Sequence, residues 1–162
     1  MNNTNLLKKY ALTYLSKYDS TKKNLERILK NKVTRMKNLE TNEKNNLYII
    51  INQILDNLES NKIINDKNFA NTKIISLFRQ GRSEFFIKKT LLKKGVDKKI
   101  INLLLEDFEK NNANWEIESG KKFAKKNKLG KYGVIKSKEK DLAKMARAGF
   151  NYQITLKVLG YD

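Results

Sequence analysis

Apolar residues recur along this chain at spacings of three and four, the period of one face of an α-helix. Leu6, Leu7, Tyr10, Ala11, Tyr14, Leu15 and Tyr18 share one side of a first predicted helix, which stops before the N-cap cluster Asp19-Ser20-Thr21. Leu25, Ile28, Leu29 and Met36 continue on a second, ending near Lys37–Asn42. Leu47, Ile50, Ile51, Ile54, Leu55 and Leu58 form the cleanest stripe, on a third. Asn65-Asp66 caps a fourth helix with Phe69, Ile74, Leu77 and Phe78, closed at Gly81. Ser83 opens a fifth with Ile87, Leu91 and Leu92, closed by Gly95; Asp97 opens a sixth with Ile100, Ile101, Leu104, Leu105 and Phe108. After a break at Asn111–Asn114, a seventh runs from Trp115 to Lys126. A loop at Leu129–Lys136 and helices over Ser137–Ala148 and Asn151–Leu159 complete nine. No segment alternates with the period of a strand, so the expected fold is all-α.

The helices repeat. Gly95-Val96-Asp97-Lys98-Lys99-Ile100 and Gly149-Phe150-Asn151-Tyr152-Gln153-Ile154 share the order Gly, apolar, N-cap residue, two polar residues, Ile. That order describes a tight helix–helix corner. Gly takes the left-handed position after one helix, the apolar residue folds back onto its last turn, and Asp97 or Asn151 caps the next. Val96 is thereby aimed at Leu91, and Phe150 at Met145. A second register aligns Thr21, Leu25 and Leu29 with Ser83, Ile87 and Leu91, with Val33 standing where Gly95 would be. We expect three tandem three-helix modules, 4–62, 63–111 and 112–162, stacked in a row because short helices cannot bury their faces alone.

Composition narrows the chemistry. The 162 residues hold no Cys, His or Pro. Thiolate and imidazole catalysis, disulfides and most transition-metal sites are therefore absent, and long helices can run unbroken. Neither metal nor cofactor is expected. Carboxylate pairs such as Glu106 with Asp107, or Glu116 with Glu118, read as solvated helix faces, and no Gly-rich phosphate loop appears. Trp115 and the Phe residues read as core, Tyr132 and Tyr152 as exposed. The longest apolar run, Tyr48–Ile51, is far too short to span a bilayer, and the first residues lack the order of a signal peptide. The expected product is a cytoplasmic, monomeric, non-enzymatic protein that does not enter membranes.

Charge points to a partner. Lys and Arg total 35 against 17 Asp and Glu, a net +18, which favours polyanions or acidic protein surfaces. Every predicted module is basic: 12 cations against 6 anions over 1–64, 11 against 6 over 65–110, and 12 against 5 over 111–162. Residues 121–138 contain eight Lys and no acid: Lys121, Lys122, Lys125, Lys126, Lys128, Lys131, Lys136 and Lys138. The first five gather on one side of a helix that runs into the Gly-containing loop. In the middle module Lys88, Lys89, Lys93 and Lys94 crowd one helix, while Arg79 and Arg82 flank Gly81 and Arg147 precedes Gly149. With 30 Lys to 5 Arg, a general Lys bias is the competing explanation of the basic surface. The helix after Gly95 argues against a helix-turn-helix reading of the corners, because its leucines and the acids Glu106, Asp107 and Glu109 make a poor major-groove reader; the helix after Gly149 is polar enough but short.

The run Asp66 … Arg79-Gln80-Gly81-Arg82-Ser83 … Ile87 … Leu91 … Lys94-Gly95-Val96 resembles the central signature of the RecX family of bacterial regulators. Ala146-Arg147-Ala148-Gly149-Phe150-Asn151-Tyr152-Gln153-Ile154 is similar to that family's C-terminal segment, and Tyr14-Leu15-Ser16 before the Ser20-Thr21 cap also fits. Ser83 departs from the family's second Gly, and Lys stands in many places where the family uses Arg. The resemblance implies an elongated, curved, all-helical protein. It would bind in the groove of the RecA recombinase filament on single- or double-stranded DNA and inhibit strand exchange, ATP hydrolysis and co-protease activity. On that reading Arg79, Arg82, Lys88, Lys89, Lys93, Lys94, Lys121, Lys122, Lys125, Lys126, Lys128, Lys131 and Arg147 are the candidate contacts. Gly81, Gly95, Asp97, Gly149, Phe150 and Asn151 are the structural corners. Two other classes stay open from the residues alone: a sequence-independent nucleic-acid-binding module unrelated to RecA, and a metal-free carboxylate enzyme.

Overall fold

Local capping chemistry accounts for most helix starts in the computed structural model, which describes residues 2–135 and 137–161. The Asn2 side chain accepts from the Thr4 N–H (3.1 Å) to open α1 (Asn3–Leu15), and Thr21 accepts from Asn24 (3.1 Å) to open α2 (Lys22–Thr34). A capping box between Glu40 and Glu43 opens the 20-residue α3 (Thr41–Ser60). Asn65 accepts from Asn68 at the start of α4 (Asp66–Arg79), and Ser83 from Phe86 at the start of α5 (Glu84–Lys93). Asp97 and Asn151 cap α6 (Lys98–Asn111) and α9 (Tyr152–Leu159). Between them lie α7 (Trp115–Asn127), a 3-10 turn (Gly130–Tyr132) inside the predicted loop, and α8 (Lys138–Arg147). Among the described residues the chain is all-α, with nine α-helices and no strand.

The chain packs as two compact units. The first runs to Phe69 and takes in Lys94–Val96; the second comprises Ala70–Lys93 and the chain from Asp97 onward. Leu7, Ala11, Leu25, Leu29, Val33, Leu47, Ile51 and Leu55 form the core of the first. In the second, Ala124, Leu129, Met145, Phe150, Val158 and Leu159 pack together, beside edge-on contacts among Phe78, Phe108 and Trp115. Two predicted positions move. Because α1 ends at Leu15, Tyr18 leaves the predicted apolar face and lies 58% exposed, its ring 5.1 Å from Tyr14. Met36 falls beyond α2, in the following turn, and still packs on the first core.

The aligned Gly corners carry long-range bonds that repeat, so that each forms one side of a clasp. In the first clasp the Thr21 hydroxyl donates to the carbonyl of Lys94, the residue before Gly95. In the second the Ser83 hydroxyl donates to the carbonyl of Ala148, the residue before Gly149 (2.7 Å). Gly95 and Gly149 lie at φ +83° and +91°, and a Cβ on either would strike the opposing segment. At Gly95 the obstacle is the Lys23 side chain (2.7 Å); at Gly149 it is Ser83 Oγ (2.6 Å) and the Phe85 ring (2.9 Å). A carboxylate closes each clasp. Asp66 accepts from the Lys22 N–H (2.9 Å), and Glu116 from the Glu84 N–H (3.1 Å), at the same step after the hydroxyl residue. Glu116 is therefore half-buried rather than on a solvated face, a correction to the sequence reading.

Candidate functional site

The lysines of α7 project from a helix whose buried side is Trp115, Ser119, Gly120 and Ala124. That spacing leaves Lys122, Lys125 and Lys126 in solvent and Lys121 half-buried. Lys128 ends the helix in the left-handed region (φ 54°), where Leu129 N–H bonds the Ala124 carbonyl (3.0 Å) and turns the chain into the 3-10 segment. Lys131 and Tyr132 follow. The Nζ atoms of Lys125 and Lys131 both lie 5.6 Å from the centre of the Tyr132 ring, so helix and turn present their ammonium groups together. The turn is pinned from behind by Asp141, a buried carboxylate on α8 that accepts from Gly130 N–H (2.8 Å) and the Tyr161 hydroxyl (3.3 Å). Burial, with Asp141 alongside, raises the Tyr161 phenol above its usual range.

The lysines of this surface are not equivalent. Lys121 pairs with Glu118 at 2.7 Å, the bond raising the ammonium above and lowering the carboxyl below their ordinary ranges. Lys122 leans the other way: its Nζ sits 4.0 Å over the Phe78 ring and its Cβ faces the Gly81 corner. Lys138 lies over Tyr161 at 5.5 Å. Lys136 lies outside the described residues. Lys125, Lys126, Lys128 and Lys131 therefore form the part of the cluster best placed to meet an anion.

In the middle of the chain Arg79 is exposed at the end of α4, and Lys89, Lys93 and Lys94 are exposed on and just after α5. Lys88 is bound to Glu84 (2.5 Å). Arg82 is half-buried: its guanidinium stacks 4.6 Å over Phe86, its carbonyl accepts from the Ser119 hydroxyl (2.6 Å), and its Nε is buried with no partner among the described residues. The backbone carbonyl thus ties the α4–α5 corner to α7, where Gly81 (φ +73°) admits the close approach of Ser119, Lys122 and Phe123. Arg147 is exposed on the last turn of α8. Phe150 is buried, its N–H bonded to the Met145 carbonyl (3.2 Å). Sequence reasoning missed Asp66, Glu116 and Asp141 as long-range acceptors. An isolated acid in a helix's first turn looks the same whether it faces water or another segment's N–H. Among the described residues there is no three-residue metal-ligand cluster, and no helix is long and apolar enough to cross a membrane.

No family model matches the chain. Individual proteins do. The regulatory protein RecX of Myxococcus xanthus is 30% identical over 158 residues, covering 94% of this chain and 83% of that protein. The regulatory protein RecX of Shewanella oneidensis is 30% identical over 126 residues, covering 67% of this chain and 94% of its own length. The crystal structure of RecX from Lactobacillus salivarius shares the fold with a TM-score of 0.69 at 24% identity, over 98% of this chain and 95% of that one. Likeness at this level to a regulatory protein, along nearly the whole chain, assigns it: the chain belongs to the RecX family of regulatory proteins.

Proposed function

We propose that the chain is a non-enzymatic regulator of the RecA recombinase, entering the groove of the RecA–DNA filament and inhibiting ATP hydrolysis, strand exchange and co-protease activity. The observation that carries this reading is the match to a regulatory protein RecX across 94% of the chain. We also propose that it acts as a cytoplasmic monomer built of the modules 4–62, 63–111 and 112–162; the two equivalent clasps support that division. Each module is basic, which suits an anionic groove and attracts the chain to it over several ångströms. Lys125, Lys126, Lys128 and Lys131, with Lys89, Arg79 and Arg147, are the cations we assign to that contact.

Mixing the chain with RecA, single-stranded DNA and ATP tests the reading. Stoichiometric protein is expected to slow DNA-dependent ATP hydrolysis and strand exchange; rates that stay unchanged overturn it. The variant K125E/K126E/K131E spares Lys121 and Lys122, which are tied to Glu118 and Phe78. It is expected to keep its helicity and lose most of the inhibition. Its salt dependence should flatten by about one unit of slope per lost phosphate contact. Full inhibition with an unchanged slope returns the lysines to a general surface bias. Binding of bare DNA with no effect on RecA favours a nucleic-acid module of another kind.

A further inference from the structure

The two clasps differ most on their outer surface. Around Gly95 the chain has Lys93 two residues before the glycine, Lys98 three after it, and Lys23 two after the clasp hydroxyl of Thr21. The same positions around Gly149 hold Arg147, Tyr152 and, two after Ser83, Phe85. Three lysines are replaced by an arginine, a tyrosine and a phenylalanine. In a chain with 30 Lys, 5 Arg and 7 each of Tyr and Phe, Lys is the default occupant of an exposed position. The core does not demand the exchange: Phe85 is 62% and Tyr152 64% exposed, and Arg147 is exposed. Packing needs only the Cβ and first ring atoms of Phe85 over Gly149, a job the stem of Lys23 performs at the other clasp.

Phe, Tyr and Arg are enriched where proteins meet proteins, while Lys is depleted there. Aromatic and Arg side chains also supply most of the residues whose loss costs binding dearly. A surface meant for phosphates would keep its charge, yet this one falls from three cations to one. A second copy of the chain is disfavoured by its net charge of +18. We infer that Phe85, Arg147 and Tyr152 form a protein-contact patch, whose partner offers an apolar recess for the rings and a carboxylate for Arg147. The inference rests on the function proposed above, and it assigns this patch to the RecA protein of the filament, not to its DNA.

The test compares two probes: RecA filaments assembled on a labelled single-stranded oligonucleotide, and the same oligonucleotide bare. The variant F85K/R147K/Y152K gives the second clasp the first clasp's residues, so a precedent for its packing exists within the chain. Phe85→Ala, which keeps the Cβ over Gly149, is the gentler companion. Both are checked for unchanged circular dichroism. Filament affinity is expected to fall about 30-fold for Phe85→Ala and further for the triple variant, as anchor residues of interfaces do. Affinity for bare DNA should hold for Phe85→Ala and hold or rise for the triple variant, which gains two positive charges. Filament binding retained by both variants overturns the patch. Equal loss on bare DNA overturns the choice of protein over nucleic acid. A wild-type chain that ignores the filament overturns the proposed function, and the assignment of RecA as partner with it.

Discussion

The two clasps do one structural job with different materials, and the differences show which parts the fold requires. Both have a hydroxyl bonded to the carbonyl before a left-handed glycine, and a half-buried carboxylate on the next N–H. These parts are fixed by geometry: the glycine admits the crossing backbone, and the hydroxyl and carboxylate satisfy polar groups that water reaches poorly. The layer over the glycine varies, a flexible Lys23 stem in one clasp and the stiffer Phe85 ring with Ser83 Oγ in the other. A requirement of the fold and a choice of surface are thus separable within one molecule.

The comparison breaks most visibly at the glycines. Gly149→Val is expected to be the costlier change. Its left-handed backbone alone costs about 1–3 kcal/mol for a non-Gly residue, and the new Cβ meets the Ser83 hydroxyl that makes the clasp. Gly95→Val carries the same backbone cost and meets the Lys23 Cβ (2.7 Å), which its backbone holds in place, but it leaves the clasp hydroxyl of Thr21 untouched, so its loss should be smaller. Urea unfolding of the two variants measures the gap; equal losses would mean the covering layer does not matter.

Removing the hydroxyls is the next largest effect. Ser83→Ala deletes the bonds to Phe86 N–H and the Ala148 carbonyl at a buried site, and should cost about 1–2 kcal/mol. Thr21→Ala loses the equivalent bonds and a buried methyl, so it should cost slightly more. Thermal melts of both rank them, and a melting point for Ser83→Ala equal to the parent's would remove the clasp as a source of stability.

The carboxylates give the smallest effect and a pH signature. Burial is the main cause raising Glu116 above its ordinary 4.5, with Glu84 and Glu109 adding to it and the Glu84 N–H and Lys88 opposing it. Burial likewise leads in raising Asp66, with Glu59 adding to it and the Lys22 N–H and ammonium opposing it. A folded-state pKa above the unfolded one means the favourable contribution is complete below the unfolded value and is lost as pH rises through the folded value. Glu116→Gln can keep the acceptor without the charge. It is expected to be as stable as the parent, or slightly more so, at pH 7, with the advantage shrinking towards pH 4. Asp66→Asn is expected to show the same sign, because burial leads in raising Asp66 as well. A Glu116→Gln variant that instead loses stability relative to the parent as pH rises from 4 to 7 would reverse this account.

Much of this fold was legible because its signals are local. Helical spacing, the caps Thr21, Ser83, Asp97 and Asn151, and the Gly95 and Gly149 corners each depend on residues within a few positions of one another. What escaped was long-range or residue-blind. Nothing near Glu116 distinguishes an acid bonded to a residue 32 positions earlier from one in water. Lys62 and Lys128 end helices in the left-handed region without the glycine that would announce it. The candidate surface was legible as charge alone. That Lys121 is paired with Glu118, that Lys122 covers Phe78, and that Arg82 stacks on Phe86 are facts of packing. The contrast between the clasps needed both readings, since the register comes from the sequence and the exposure from the structure.

The hydroxyl bonds also set a timetable for synthesis. Thr21 waits for a carbonyl 73 residues further along, and Ser83 for one 65 residues on. At elongation rates of 5–20 residues per second, the start of α2 stands without its distant partner for roughly 4–15 s after it is made. During that interval Leu25 and Leu29 can be covered only by the neighbouring helices of their own segment, and the start of α5 then repeats the wait. Folding on the ribosome should therefore proceed by successive closures, each early segment completed by a later one. Chaperones that shield apolar helices have their longest opportunity between those closures.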